Sequence, residues 1–212
     1  PPDGTDWSDV LDLDYNNNEM RAAMVDALQF WVRECEIDGY RCDVADWVPG
    51  DFWQNARLSL DTIKPDIFML AEAENPKLHP AFDMSYSWEL HHIGNEIAKG
   101  KMNFDSLHHY MIKEDTNFSA EAYRMTFTSN HDENSWNGTV FERYGENYKN
   151  WAVVMATIDG MPLLYSGQES EMNKRLEFFQ KDTIEWKDYP LESFYKSLYT
   201  LKDSNEALWN GE

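Results

Sequence analysis

Three acidic side chains, Asp43, Glu72 and Asp132, each follow a stretch that reads as a strand. Arg41 and Asp43 are two residues apart, so on an extended chain they share a face, and Gly39 leaves room beside them. Tyr40, Cys42 and Val44 then point the other way. Glu72 ends the apolar run 67–71, and Asn130-His131-Asp132 ends another strand-like segment. Two carboxyl groups about 5–5.5 Å apart can cleave a glycosidic bond with retention of configuration, one attacking the anomeric carbon and the other protonating the leaving oxygen. At that separation two charges repel by about 3 kcal/mol at an effective dielectric of 20. Such a pair should therefore divide into an acid and a base. Arg41 beside Asp43 favours the ionised form and makes Asp43 the nucleophile candidate. The apolar flank of Glu72 makes it the acid/base candidate. Each residue alone has a plainer reading: Arg41–Asp43 as an ion pair inside a sheet, and Glu72 as a helix cap.

These residues need a parallel sheet to position them, and the chain alternates strands with helices. Strand patterns fall at 38–44, 67–72, 81–84, 123–128 and 161–165. Helical periodicity falls at 18–34, 51–63, 87–98, 104–113, 146–158 and 191–202. In the first helix Met20, Met24, Ala27, Leu28, Trp31 and Cys35 form the expected apolar face, with Asn17 or Asn18 as cap. A (β/α)8 barrel spends about 31 residues per unit. The step from Asp43 to Glu72 is 29 residues, one such unit, and the step from Glu72 to Asp132 is 60, or two. The predicted fold is α/β: a partial TIM (β/α)8 barrel of about five βα units. The carboxylates would ring its C-terminal mouth, where active sites of this fold lie.

Composition narrows the partners. A net charge of -21 argues against nucleic acid. No apolar run is long enough for a membrane span. Aromatic residues make up 15% of the chain, including nine Trp; most must be core, and a surplus of Trp and Tyr also suits sugar binding, a choice that composition alone does not make. Trp47, Trp53 and Trp136 are candidate sugar-stacking platforms, with core packing as the alternative for each. The two cysteines, Cys35 and Cys42, read as two buried free thiols, with a bridge between them as the alternative. His91-His92 and His108-His109 are neighbours on helices and splay apart, so they read as solvated surface and not as metal ligands.

The motifs resemble those of the α-amylase family of glycoside hydrolases, of the neopullulanase and α-amylase kind. Asp38-Gly39-Tyr40-Arg41-Cys42-Asp43-Val44-Ala45 is similar to the family's nucleophile strand, and Phe68-Met69-Leu70-Ala71-Glu72 to its acid/base strand. Phe127-Thr128-Ser129-Asn130-His131-Asp132 is similar to its third-carboxylate motif, and the segment from Gly160 to Glu169 to its last-strand motif. Val10-Leu11-Asp12-Leu13-Asp14 resembles the motif closing the family's loop domain. The resemblance implies catalytic roles for Asp43, Glu72 and Asp132. It implies substrate binding by Arg41, Asn130, His131, Trp47 and Trp136. It also implies calcium in the full-length enzyme, with Asp12 a ligand, and an α-glucan or malto-oligosaccharide substrate.

The sequence departs from the family in two places. Asp46-Trp47 replaces a common Lys-His, and Ala71 a common Gly. By resemblance, residues 1–17 end the inserted loop domain, residues 18–212 form the C-terminal portion of the barrel, and its first strands would lie upstream. The exposed barrel edges of such a piece invite self-association. Polymer substrates imply an extracellular or periplasmic location. The competing readings are an α-glucan transglycosylase or oligo-α-glucosidase of the same family, and an inactive fragment with residual sugar binding.

Overall fold

The computed structural model describes residues 4, 5, 7 and 10–210. The remainder of the expected loop-domain end (residues 1–3, 6, 8 and 9) and residues 211–212 lie outside the described residues. The chain forms two compact units, Pro1–Ser85 and Tyr86–Glu212.

In the first unit, α1 (Asn18–Cys35) leads into β1 (Gly39–Cys42), α2 (Gly50–Asp61), β2 (Phe68–Ala71) and β3 (Met84–Tyr86), whose last residue opens the second unit. The Asn17 side chain caps α1 by accepting from the amides of Glu19 and Met20 at 2.9 and 3.1 Å. The buried face of α1 is rotated from the expected one. Val25 and Val32 are buried, with Met24 and Leu28 packed beside them, while Ala27, Trp31 and Cys35 are exposed. Placing Val25 and Val32 one heptad apart selects the face that meets the core; the expected set had counted Trp31 on size alone. Phe52, Ala56 and Leu60 of α2 complete this core with Ile67 and Met69. Each large side chain contributes about 1.5–3 kcal/mol by burial.

β1 and β2 are parallel and in register, Gly39 opposite Phe68 and Cys42 opposite Ala71. Gly39 is there for a different reason from the one expected. A Cβ at Gly39 would stand 2.1 Å from the Phe68 carbonyl oxygen, so glycine permits the strands' approach. Tyr40 points away from Arg41, and its hydroxyl donates to Leu28 O at 2.5 Å, tying β1 to α1. β3 begins at Met84, later than expected. Ala81 and Phe82, assigned to it from sequence, are buried core residues ahead of the strand.

The second unit continues with α3 (Trp88–Ala98), α4 (Asp105–Asn117), β4 (Tyr123–Phe127), α5 (Val140–Tyr144), α6 (Tyr148–Thr157), β5 (Met161–Leu163) and α7 (Glu192–Ser204). β4 and β5 are parallel, and the Ser87 amide just beyond β3 donates to Met125 O of β4 at 3.0 Å. The strands follow sequence order in one five-stranded sheet. The short α5 escaped the periodicity reading. Its start is fixed by a capping box: Thr139 Oγ1 accepts from the Glu142 amide, and the Glu142 carboxylate accepts from the Thr139 amide. Among the described residues no helix is long and apolar enough to cross a membrane.

Candidate active site

Asp43 and Glu72 are the first residues beyond two adjacent parallel strands. The Glu72 amide donates to Cys42 O at 2.9 Å and the Ala45 amide to Glu72 O at 3.3 Å, extending the β1–β2 ladder past both acids. Arg41, on the same face as Asp43, divides its guanidinium between them. Nη1 pairs with Asp43 Oδ1, and Nη2 lies 2.8 Å from Glu72 Oε1. The other Glu72 oxygen accepts from the Val44 amide at 2.8 Å. That amide is aimed by an unusual backbone: Val44 sits at φ 42°, ψ 45°, a left-handed conformation that a β-branched residue rarely adopts. One guanidinium thus bridges an oxygen of each carboxylate. They differ in access: the Asp43 side chain is 70% exposed and that of Glu72 15%. The sequence placed Arg41 beside Asp43; its second contact, on Glu72, is added by the structure.

Trp47 is exposed beside these residues and stacks on Trp7, ring centroids 5.0 Å apart at 15°. Its neighbour Asp46 accepts from the Asn75 amide group at 2.5 Å. Trp53 is no platform. It is buried, and its indole N–H donates to Ala45 O at 2.9 Å, bracing the turn after Asp43 from below.

In the second unit Asn130, His131 and Asp132 follow β4 and lead into the turn that carries Trp136. Asn130 is buried, and its side-chain oxygen accepts from the Glu133 amide at 2.8 Å. Its observed part is therefore to shape the turn, where the sequence had assigned it to substrate. His131 is half exposed, with Nε2 3.5 Å from Asp132 Oδ2. Trp136 is exposed and lies on the following π-helical turn, Glu133–Asn137. Tyr165, which the sequence did not single out, lies near enough to feel Asp132: burial pushes its phenol pKa up, and the Asp132 charge adds to the shift. Gln168 holds this corner. Its side-chain oxygen accepts from the Tyr165 amide, and its nitrogen donates to Thr128 Oγ1, both at 2.9 Å. The Tyr-Ser-Gly-Gln run was the available signal.

Beneath the Asp132 turn lies a buried polar network that the sequence did not suggest. Arg143 donates to the carbonyls of Gly138 at 2.8 Å and Thr128 at 2.7 Å, and to Asn95 Oδ1 at 3.2 Å. Glu133 places one oxygen 2.9 Å from His91 Nε2 and accepts from Asn137 Nδ2 at 3.1 Å with the other. Burial lowers the His91 pKa against the pull of Glu133, and its Nδ1 lies 3.2 Å from Phe127 O. Burial pushes the Glu133 carboxyl up, but His91, Arg143 and Asn137 outweigh it and hold the pKa below the usual value. The expectation of a solvated His91-His92 pair is corrected for His91, which is fully buried; His92, His108 and His109 are exposed.

No group of three or more His, Cys, Asp or Glu among the described residues could hold a metal. Asp12 is exposed. Calcium takes six to eight oxygens, and among the described residues no cluster of three or more acidic or histidine side chains stands at Asp12. Cys35 and Cys42 are both free, but only Cys42 is buried; Cys35, on the outer face of α1, is exposed, which corrects the expectation that both thiols are buried.

The family model described as "Alpha amylase, catalytic domain" matches residues 5–204. Alpha-amylase 2 of Dictyoglomus thermophilum is 25% identical over 218 residues, covering 94% of this chain and 38% of that protein. The maltogenic alpha-amylase of Bacillus acidopullulyticus is 24% identical over 210 residues, covering 92% and 35%. Among solved structures, a maltogenic alpha-amylase from Thermotoga neapolitana superposes with a TM-score of 0.85 at 28% identity, over 100% of this chain and 51% of that one. An alpha-amylase from Lactobacillus plantarum gives 0.83 at 28%, over 93% and 50%. The chain thus spans a little over a third of those curated relatives and about half of those structures. Its parallel α/β sheet is part of a (β/α)8 barrel.

Proposed function

This chain belongs to the alpha-amylase catalytic-domain family, and from that premise we propose that it carries the nucleophile and acid/base of an enzyme hydrolysing α-1,4-glucosidic bonds with retention. The observation that carries this reading is Arg41 holding Asp43 and Glu72 on one guanidinium. Asp43, the more open carboxylate, attacks the anomeric carbon as the bond to the leaving sugar breaks. Glu72, in its protonated form, gives its proton to the leaving oxygen. A glycosyl ester on Asp43 results, and a sugar with a free hydroxyl departs. Glu72, now ionised, takes a proton from water, whose oxygen attacks the same carbon from the leaving-group side. The ester bond breaks, and the original configuration returns. Asp132 and His131 bind sugar hydroxyls, and Trp47 offers an exposed ring to a neighbouring sugar.

The test uses the full-length protein. Glu72→Gln should abolish turnover of maltoheptaose, while glucosyl fluoride, whose leaving group needs no proton, should retain far more. Equal retention on both substrates would sink the Glu72 assignment. Proton NMR of the first product should show the α-anomer. Product profiles on starch, pullulan and short maltosides separate hydrolysis from glucosyl transfer.

A further inference from the structure

Resting on the glucan-cleaving reading above, we propose that Phe178 and Phe179, together with Trp136 and His131, form a stacking platform for a glucosyl unit of an α-1,4-glucan beside Asp132. The four rings are contiguous. Trp136 and Phe178 centroids are 4.9 Å apart at 42°, Phe178 and Phe179 are 4.9 Å apart at 78°, and His131 lies nearly parallel to Phe178 at 6.1 Å and 19°. They are also open: Trp136 is 54% exposed, Phe178 39% and Phe179 67%.

Aromatic rings left in water tend to collapse onto one another or into a core. Here a polar scaffold holds them out. The buried Asn134, on the turn that carries Trp136, donates to Lys174 O at 3.1 Å and accepts from the Leu176 amide at 2.8 Å. Asp182 closes the same loop. It pairs with Lys174 and accepts from the amides of Glu177 at 3.1 Å and Thr183 at 2.7 Å. Arg175 grips Glu142 with two nitrogens, each 2.9 Å from a carboxylate oxygen. Asn134 therefore fixes the phenylalanine loop to the very turn that presents His131 and Asp132. Rings ordered before a ligand arrives spare it that ordering cost.

The chemistry of the patch selects the occupant. A pyranose offers an apolar C–H face for the rings and hydroxyls at its rim. His131 and Asp132 border one side of the patch, with the ring nitrogen 3.5 Å from the carboxylate. Three exposed rings fall short of the ~800 Å² per partner of a stable protein interface. A chain of net charge -21 is repelled by an anionic membrane surface.

The test measures maltoheptaose affinity by calorimetry in the Asp43→Asn protein, so the readout does not depend on hydrolysis. Replacing Phe178 and Phe179 together by Ala should weaken binding about tenfold or more, equivalent to ~1.4 kcal/mol. Phe179→Tyr, which keeps the ring, should retain binding, and the Phe178 and Phe179 ring resonances should shift with maltoheptaose and not with cellohexaose. Unchanged affinity in the double variant with an intact far-ultraviolet spectrum overturns the proposal, as does an equal response to cellohexaose or no maltoheptaose binding by the parent. Failure of the Glu72 assignment would appear as turnover surviving Glu72→Gln, a measurement this binding assay does not touch.

Discussion

Arg41 joins Asp43 to Glu72: one guanidinium nitrogen meets Asp43 Oδ1, and the other lies 2.8 Å from Glu72 Oε1. A planar fork can serve two acids at once, and an ammonium cannot copy it. Arg41→Lys should therefore keep the charge and lose the geometry. In the full-length protein, kcat/KM on maltoheptaose should fall ~10²-fold or more, as misplacement of reacting groups does, with Tm little changed. Steady-state kinetics and a thermal melt on the same sample check this.

Arg143 ties three elements under the Asp132 turn, with carbonyl partners at Gly138 and Thr128 and an amide partner at Asn95. Arg143→Met removes the cation whose charge helps hold the Glu133 pKa down and leaves the Gly138 and Thr128 carbonyls and Asn95 Oδ1 without their donor. Leaving a buried polar group unsatisfied in this way costs about 1–3 kcal/mol. Urea unfolding should show a loss of that size. A change below 1 kcal/mol would mean that the network is not coupled to folding.

Acid should destabilise the fold in two stages. The His91 pKa is lowered by burial, so below about 6.5 the unfolded chain takes up a proton that the folded one resists. Stability then falls as pH falls. Glu133 has the same sign lower down: its stabilisation is present above the unfolded value of 4.5 and is lost as pH drops through the depressed folded value. Asp182, held down to about 2 by Lys174 and two amides, extends the loss further into acid. Glu114 works in the opposite sense, because burial raises its pKa. The informative measurement is therefore a difference. Between pH 7 and 5.5, Tm should fall more in the parent than in His91→Gln.

The two thiols should separate cleanly. Cys35 is exposed, whereas burial pushes Cys42 up to about 12, so little reactive thiolate forms there. Iodoacetamide at pH 8 should label one site in the native protein and two in urea, as read by peptide mass. Native labelling at Cys42 would show that β1 opens readily.

Much of the fold was legible because strand and helix periods depend on local pattern. Gly39 through Cys42, the apolar run before Glu72, and the strand entering Asn130-His131-Asp132 all stand where expected. The pairing of Arg41 with Asp43 follows from their sharing a face. Its second grip, on Glu72, does not, because strand register is a tertiary property. The buried His91–Glu133–Arg143 network was also hidden. His91 and Arg143 are 52 residues apart, and His91 in its own window reads as solvated surface. Phe178 and Phe179 gave no periodic signal at all; ring contacts with His131 and Trp136 and the hydrogen bonds of Asn134, none of them local in sequence, connect them to the site.

Val44 holds its left-handed turn against its own side chain, and only the surrounding contacts keep it there. Heat loosens such contacts locally before the whole structure gives way. The peptide unit that steadies Glu72 is thus the natural first casualty of warming. The working acid pair should come undone several degrees before the sheet does, so that activity and structure are lost at different temperatures.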